Sequence, residues 1–396
     1  MNVQELKRLR PALNRFVEKF DDCIKTNPSR KHLRTYVNGQ LGPLKAKSIE
    51  PIALDAGVSP RTLQEFLSIH RWDETAVKRR LRELVRMDHS DENGIGIIDE
   101  TSFAKKGKKT AGVQRQHCGS TGKTDNCVVT VHLGYVARDF NAILDGDLYL
   151  PEETWSNNRQ RCREAGIPDD VVYRPKWRIA LELIERSLIE GVPMRWLTAD
   201  EAYGRCREFR ETVADLGLTY VVEIPSSITG WTKSRLERGE TKARPVSKLW
   251  LRGGPTWKTY QIKRTNKGPV VWEVRETPFY PSSDGTPGKE ERLLVLREVL
   301  TGEVKYFLSN ASAEVPLKSL LFVAFSRWHI ERLFEDGKGE VGFDHFEVRH
   351  YRSLMRHLVL TTLSLYFLCE QVQKFRGEKS VLVAIPGEDG GGGSTG

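Results

Sequence analysis

No Cys-x-x-Cys pair occurs in the 396 residues, and the six cysteines, at 23, 118, 127, 162, 206 and 369, stand far apart. That spacing argues against a structural zinc site or a disulfide framework, and reduced thiols in a cytoplasmic protein are expected. The first eight residues, Met1 to Arg8, are charged and lack the apolar stretch of a signal peptide. The most apolar run, Leu358 to Cys369, is too short for a bilayer and is interrupted by Thr361, Thr362 and Ser364. It is expected to be a buried helix, with no membrane partner. Acidic residues are in deficit: 53 Asp and Glu against 62 Lys and Arg give a net charge of +9. Such a balance suits a partner with a phosphate backbone, although charge alone does not separate DNA from RNA or an anionic membrane.

Three segments carry chemistry. Ile97-Ile98-Asp99-Glu100-Thr101 and Trp196-Leu197-Thr198-Ala199-Asp200-Glu201-Ala202-Tyr203 each place an aspartate where an apolar, strand-like run ends. Arg327-Trp328-His329-Ile330-Glu331-Arg332, followed by Lys338, sets a carboxylate among basic residues on a helix. Carboxylates brought from separate elements are what a two-metal phosphoryl-transfer site requires, with two cations about 4 Å apart. Hard, oxygen-preferring Mg²⁺ suits such ligands, and Mn²⁺ is expected to substitute. A lone Asp after a strand is usually a turn residue or helix cap, so the three segments weigh only together. On a helical wheel Arg327, Glu331 and Lys338 fall at roughly 0°, 40° and 20°, one stripe able to face a phosphate. The bland alternative is a solvated face with i,i+4 ion pairs. Glu100 and Glu201 are expected to point away and be structural.

On the spacing of Asp99, Asp200 and Glu331, the Asp-x-Ala-Tyr signature at Asp200–Tyr203 and the Arg-x3-Glu-x6-Lys signature at Arg327, Glu331 and Lys338, the chain resembles the DDE transposases of bacterial insertion sequences. The likeness is to the IS701 family, within the wider IS4-type group, and runs from the N-terminal helices to about residue 375. One departure is visible: the IS4-type signature begins with a Tyr three residues before its Arg, and Ala324 stands there. The resemblance implies Asp99, Asp200 and Glu331 as catalytic metal ligands, Arg327, Lys338 and Tyr203 as DNA contacts, double-stranded DNA (transposon ends and target) as partner, a homodimer in the synaptic complex, and a nucleoid-associated location. It also implies an α/β fold: an RNase H-like mixed-sheet core with a β-rich insertion and an N-terminal helical DNA-binding domain.

The patterning divides accordingly. Residues 1–90 read as helical; Ala53, Gly57, Leu63 and Phe66 have helix-turn-helix spacing, with Ser59 as N-cap and Pro60 at the first helical position. Arg61, Gln64 and Ser68 are then the outward residues that would meet DNA, the alternative being an ordinary helical hairpin. Residues 91–225 form the first part of the core: strands at Ile95–Asp99, Cys127–Ala137, Ala142–Leu150, Met194–Asp200 and Thr219–Ile224, and helices over Trp177–Ile189 and Arg205–Leu216. Residues 226–310 are a β-rich insertion of short strands, beginning at Lys248–Arg252, between Gly, Pro and Ser clusters. Residues 311–378 complete the core with a long helix from Pro316 carrying Glu331 and a further helix over Tyr351–Phe375; residues 379–396 are a flexible tail.

Lys105, Lys106, Lys108 and Lys109 follow Asp99 in a loop that would track a DNA backbone, though such runs are often merely solvated. Trp231, Trp250, Trp257 and Trp272 lie in or near the insertion; one could stack on an unpaired base, while each alone reads as core. The function expected is binding of terminal inverted repeats, cutting of the ends and joining of 3′-hydroxyls to target DNA. The rival readings are a DNA-binding regulator without chemistry and an RNase H-like nuclease without strand transfer.

Overall fold

The computed structural model describes residues 3–249, 256–265 and 268–377. Trp250 and the expected strand residues 250–252 lie outside them, and so does the tail from 378. Five helices lead: α1 (Val3–Glu18), α2 (Asn27–Leu41), α3 (Ile49–Asp55), α4 (Pro60–Ser68) and α5 (Glu74–Asp88). Strands β1 (Ile95–Ala104), β2 (Gln114–Cys118), β3 (Lys123–Ala137) and β4 (Phe140–Leu148) follow, then α6 (Arg159–Glu164) and α7 (Lys176–Ile189). Next come β5 (Trp196–Ala199), α8 (Glu201–Gly204), α9 (Arg207–Asp215) and β6 (Thr219–Ile224).

Strands β4, β3 and β1 run antiparallel as neighbours, and β5 and β6 extend the sheet from β1 in parallel. Helices cover both faces of β1, β3 and β5, so alternation is lost: β1 from Ile95 to Asp99, β3 from Cys127 onward and all of β5 are buried. Residues 229–309 carry the sheet further. They contribute β7 (Thr229–Thr232), α10 (Lys233–Glu237), β8 (Arg244–Pro245), α11 (Val246–Leu249), β9 (Lys258–Thr265), β10 (Gly268–Ser283), β11 (Thr286–Pro287), β12 (Glu291–Glu298) and β13 (Val304–Ser309). Antiparallel pairing of β13 with β6 joins these strands to the core, and the path continues through β12 and β10 to β7 and β8. Lys248, expected in a strand, is in α11: Val246 donates its N–H to Ile228 O, which ties the start of that short helix to the segment before β7.

The helix expected from Pro316 is two helices, α12 (Leu317–Phe325) and α13 (Trp328–Val341). Ser326 Oγ donates to Phe322 O at 2.7 Å, a back-bond that competes with the helical ladder at the break. Gly342, at φ +72°, ends α13 in the left-handed conformation that glycine adopts without a Cβ clash. The last helix, α14 (Tyr351–Gly377), is buried along most of its length. No helix among the described residues is long and apolar enough to cross a membrane.

The N-terminal helices share one apolar core with the sheet and α14, from Leu13 and Phe20 through Tyr36 and Leu67 to Leu363 and Phe367. Polar ties reinforce it. Arg356 donates to the carbonyls of Phe66, Leu67, His70 and Trp72, fastening the end of α4 to α14. His357 Nε2 donates to Gly342 O at 3.1 Å, and Nδ1 lies 2.9 Å from Tyr36 Oη, whose O–H it accepts when the ring is neutral. Burial pushes His357 down to about 3 from its ordinary 6.5, and does the same to His132. The unfolded chain therefore takes up protons below about pH 6.5 that the native chain refuses, and stability present above 6.5 is lost as pH falls toward 3. The expected result is a thermal midpoint that drops between pH 6.5 and 4, with His357→Gln showing a smaller drop; an unchanged drop would remove His357 from the account.

Candidate active site

The last rung of the parallel β1–β5 ladder is Ile98 against Ala199, so Asp99 and Asp200 are the next residues on adjacent strands and project to the same side. Asp99 is not at the end of its strand, as the sequence suggested: β1 runs on to Ala104 because β3 pairs with it along its full length. Asp200 caps α8, its Oδ1 accepting from the N–H of Ala202 at 2.9 Å and of Tyr203 at 3.4 Å. Gly204, at the end of α8, lies so close to β6 that a Cβ there would stand 1.9 Å from Glu223 O. Backbone cannot yield as a side-chain tip does, so Gly204→Ala is expected to cost about 3 kcal/mol or more and to displace Asp200 with its cap. Urea unfolding checks the first; a loss below about 1 kcal/mol would show that α8 can lift away.

Arg327 precedes α13 and stands between two of the three carboxylates. Its Nη1 donates to Asp99 Oδ2 at 3.0 Å and its Nη2 to Glu331 Oε1 at 2.7 Å. Burial pushes the Asp99 carboxyl up to about 7, with Asp200 and Glu331 adding to the rise and Arg327 opposing it. Asp200 is likewise raised, first by burial and then by Glu100. Two adjacent carboxyls whose ionisation is opposed by burial are an electrostatic setting that a cation relieves. Among the described residues, however, no three His, Cys, Asp or Glu side chains are already arranged to hold an ion. The donor chemistry, three hard carboxylates, fits divalent metal; the cation that Asp99 and Glu331 share in this arrangement is the Arg327 guanidinium.

Lys338 reaches the same face, its Nζ donating to Ser102 O at 3.4 Å. Tyr203 does not reach the surface: it is 1 % exposed and its hydroxyl, buried, has no hydrogen-bond partner among the described residues. The expectation of a DNA contact there is corrected, because α8 turns the ring inward beneath Asp200. Glu100 pairs with Lys176 of α7 at 2.7 Å, on the opposite side of β1 from Asp99. Sequence reasoning missed Glu223 of β6, whose charge also acts on Arg327; its place on the strand beside β5 was the available signal.

Lys105 is half-buried, its Nζ donating to Phe346 O at 2.7 Å and lying over the Phe346 ring. Lys106, Lys108 and Lys109 are exposed. In the N-terminal helices, Gly57 takes φ +65° between α3 and α4, and Ala53, Leu63 and Phe66 are buried as the spacing required. Ser59 stands at the cap position without a side-chain cap bond. Arg61 and Gln64 are exposed; Arg61 pairs with Glu65 at 2.8 Å, and half-buried Ser68 donates back to Gln64 O. Trp231 and Trp272 are core residues, and half-buried Trp257 lies between the guanidinium groups of Arg275 and Arg297.

Comparison with known proteins adds three findings. The family described as "DDE superfamily endonuclease" matches residues 19–277, a span that includes Asp99 and Asp200 and ends before α13. The "Probable transposase for insertion sequence element IS701" of Microchaete diplosiphon is 32 % identical over 191 residues, 48 % of this chain and 47 % of that protein. The matched region thus spans about half the length of the curated relative. Among solved structures, the piggyBac transposase synaptic complex with hairpin DNA covers 91 % of this chain and 69 % of its own, at 10 % identity and a TM-score of 0.47.

Proposed function

The chain belongs to the DDE superfamily endonuclease family, and on that premise we propose that it is an insertion-sequence transposase. It binds the terminal inverted repeats of its element, cuts the ends and joins the freed 3′-hydroxyls to target DNA. The observation that carries the reading is Arg327 holding both Asp99 and Glu331, with Asp200 beside Asp99 on the adjacent parallel strand. Strand order β4-β3-β1-β5-β6, with β5 and β6 parallel to β1, supports an RNase H-like core.

The three carboxylates are the ligands in this reading, for Mg²⁺ or Mn²⁺. When bound, such ions activate the attacking oxygen and stabilise the leaving one. Arg327 is released from Asp99 and Glu331 to a DNA phosphate, for which its planar fork is suited. Lys338 supplies a second phosphate contact from the same face. Lys106, Lys108 and Lys109 line the approach, and Arg61, Gln64 and Ser68 face the repeat sequence. Two ends must be held at once, so a homodimer is the working unit.

The test is incubation of the purified chain with a DNA fragment carrying the ends that flank its own reading frame, with Mg²⁺, with Mn²⁺ and with chelator. Metal-dependent cleavage followed by strand-transfer products is expected. Cleavage without joining would favour the plain nuclease, and binding with no cleavage in either metal would favour the regulator.

A further inference from the structure

The hairpin of β2 and β3 extends the catalytic face beyond the helix that covers it. Asp99, Thr101 and Phe103 alternate onto one side of β1, and their partners on β3 are His132, Thr130 and Val128. That side carries α13 and the turn after it: Phe103 packs edge-on against Phe343 and Phe346, and His132 against Phe334. Continuing the alternation along β3 puts Asn126 and Thr124 on the same side, and across the hairpin they pair with Arg115 and His117. The opposite side of the hairpin is filled by Cys118 and Cys127, which pack with Val129. Arg115 and His117 are therefore turned toward the catalytic side, and both are exposed.

The basic loop is fastened to the same row. Asn126 Nδ2 donates to Lys105 O at 2.6 Å and to Gly107 O at 2.8 Å, and Lys105 donates its N–H to Asn126 O at 2.8 Å. Loop, β3 and Arg115 thus lie side by side. Many arginines among the described residues are held by carboxylates, such as Arg34, Arg82, Arg174 and Arg297. Among the described residues Lys106, Lys108, Lys109 and Arg115 have no carboxylate partner, and their charge faces solvent. Asp344 and Glu347 sit nearby and act on Lys105, with Asp344 also acting on Lys338.

We propose that Lys106, Lys108, Lys109, Arg115 and His117, in line with Lys338, form a surface that grips the phosphate backbone of double-helical DNA on one flank of the scissile bond. Six residues separate Asp99 from the level of Lys105, about 20 Å at the rise of a strand. That is about six base pairs of duplex, so the contact falls roughly half a helical turn from the chemistry. The inference rests on the function proposed above and adds to it the path of the DNA.

The experiment uses the full chain and a 40-bp duplex of random sequence, with binding followed by fluorescence anisotropy across a KCl series. Each phosphate contact removed should lower the slope of log K against log salt by about one. Lys108→Ala with Arg115→Ala should lower it by about two and raise Kd on the order of tenfold at the lower salt. Lys108→Arg with Arg115→Lys, which keep the charge, should restore both. Both side chains are exposed, so folding is not at issue, and an unchanged thermal midpoint verifies this. Wild-type binding with the same slope in the alanine variant would overturn the surface alone, whereas a wild-type chain that binds no duplex DNA would overturn the transposase reading with it.

Discussion

Glu331→Gln should reduce metal-dependent end cleavage by about three orders of magnitude or more, as expected when one member of a catalytic unit is lost, while Glu335→Gln should change it by no more than a small factor. The two glutamates are one helical turn apart but face different neighbours. Glu331 Oε1 meets Arg327 at 2.7 Å, and the other arm of that guanidinium holds Asp99. Glu335 has a side chain 73 % exposed and turns toward Arg332, which is itself committed to Asp336 at 2.7 Å. Glutamine keeps the shape of Glu331 and removes the charge a metal ligand needs. The side chain is half exposed, so the variant should unfold at the wild-type midpoint. Cleavage by each purified variant in Mg²⁺ and in Mn²⁺ decides the matter; an active Glu331→Gln beside a dead Glu335→Gln would move the third ligand along α13.

The largest effect on stability is expected from Asp145→Ala, on β4 two strands away from Asp99. The Asp145 carboxylate is fully buried and receives Lys78 at 2.9 Å, Arg82 at 2.8 Å and Arg186 at 2.6 Å, with Arg82 also bound to Glu190. Burial alone would raise its pKa, but the three cations outweigh it and hold the group well below the usual carboxylate range. Alanine leaves Lys78 and Arg186 without their carboxylate and Arg82 with Glu190 alone, and breaking such a cluster typically costs about 3–5 kcal/mol. A folded-state pKa held down means that this stability is present above the unfolded value near 4 and is lost as pH falls below it. Urea unfolding at pH 7 should show the loss, and the deficit relative to wild type should shrink in acid. A cost under about 1 kcal/mol would mean that water or a neighbouring acid already compensates the cations.

The parts of this protein that announce themselves in sequence are those governed by local rules. β3, α7 and β6 follow from apolar runs and their periods, and the turn at Gly57 from the need for positive φ between two helices. Asp99 and Asp200 were legible as a pair because each closes an apolar run, but only the β1–β5 register puts them at one level. The break at Ser326 was not legible, since Leu317 to Val341 has neither proline nor an early glycine to mark it, and the back-bond from Ser326 is a choice made in the folded chain. The inward turn of Tyr203 was hidden for a similar reason: it follows from Gly204 resting on the β6 backbone, a contact between segments about twenty residues apart.

The union of the first helices with the last has a bearing on how the chain is made. Tyr36 Oη waits for His357, 321 positions later, and Gln40 for Ser364, 324 positions later. During synthesis at about 5–20 residues per second, the apolar sides of α1 and α2 emerge tens of seconds before the helix that will cover them. Contacts this remote in sequence also slow the search once the chain is free, because the intervening loop must close before they are rewarded. The newborn protein therefore passes through a prolonged interval with Phe16, Phe20 and Tyr36 bare, and its yield in the cell should depend on chaperones that shelter nascent chains more than the stability of the finished core would suggest.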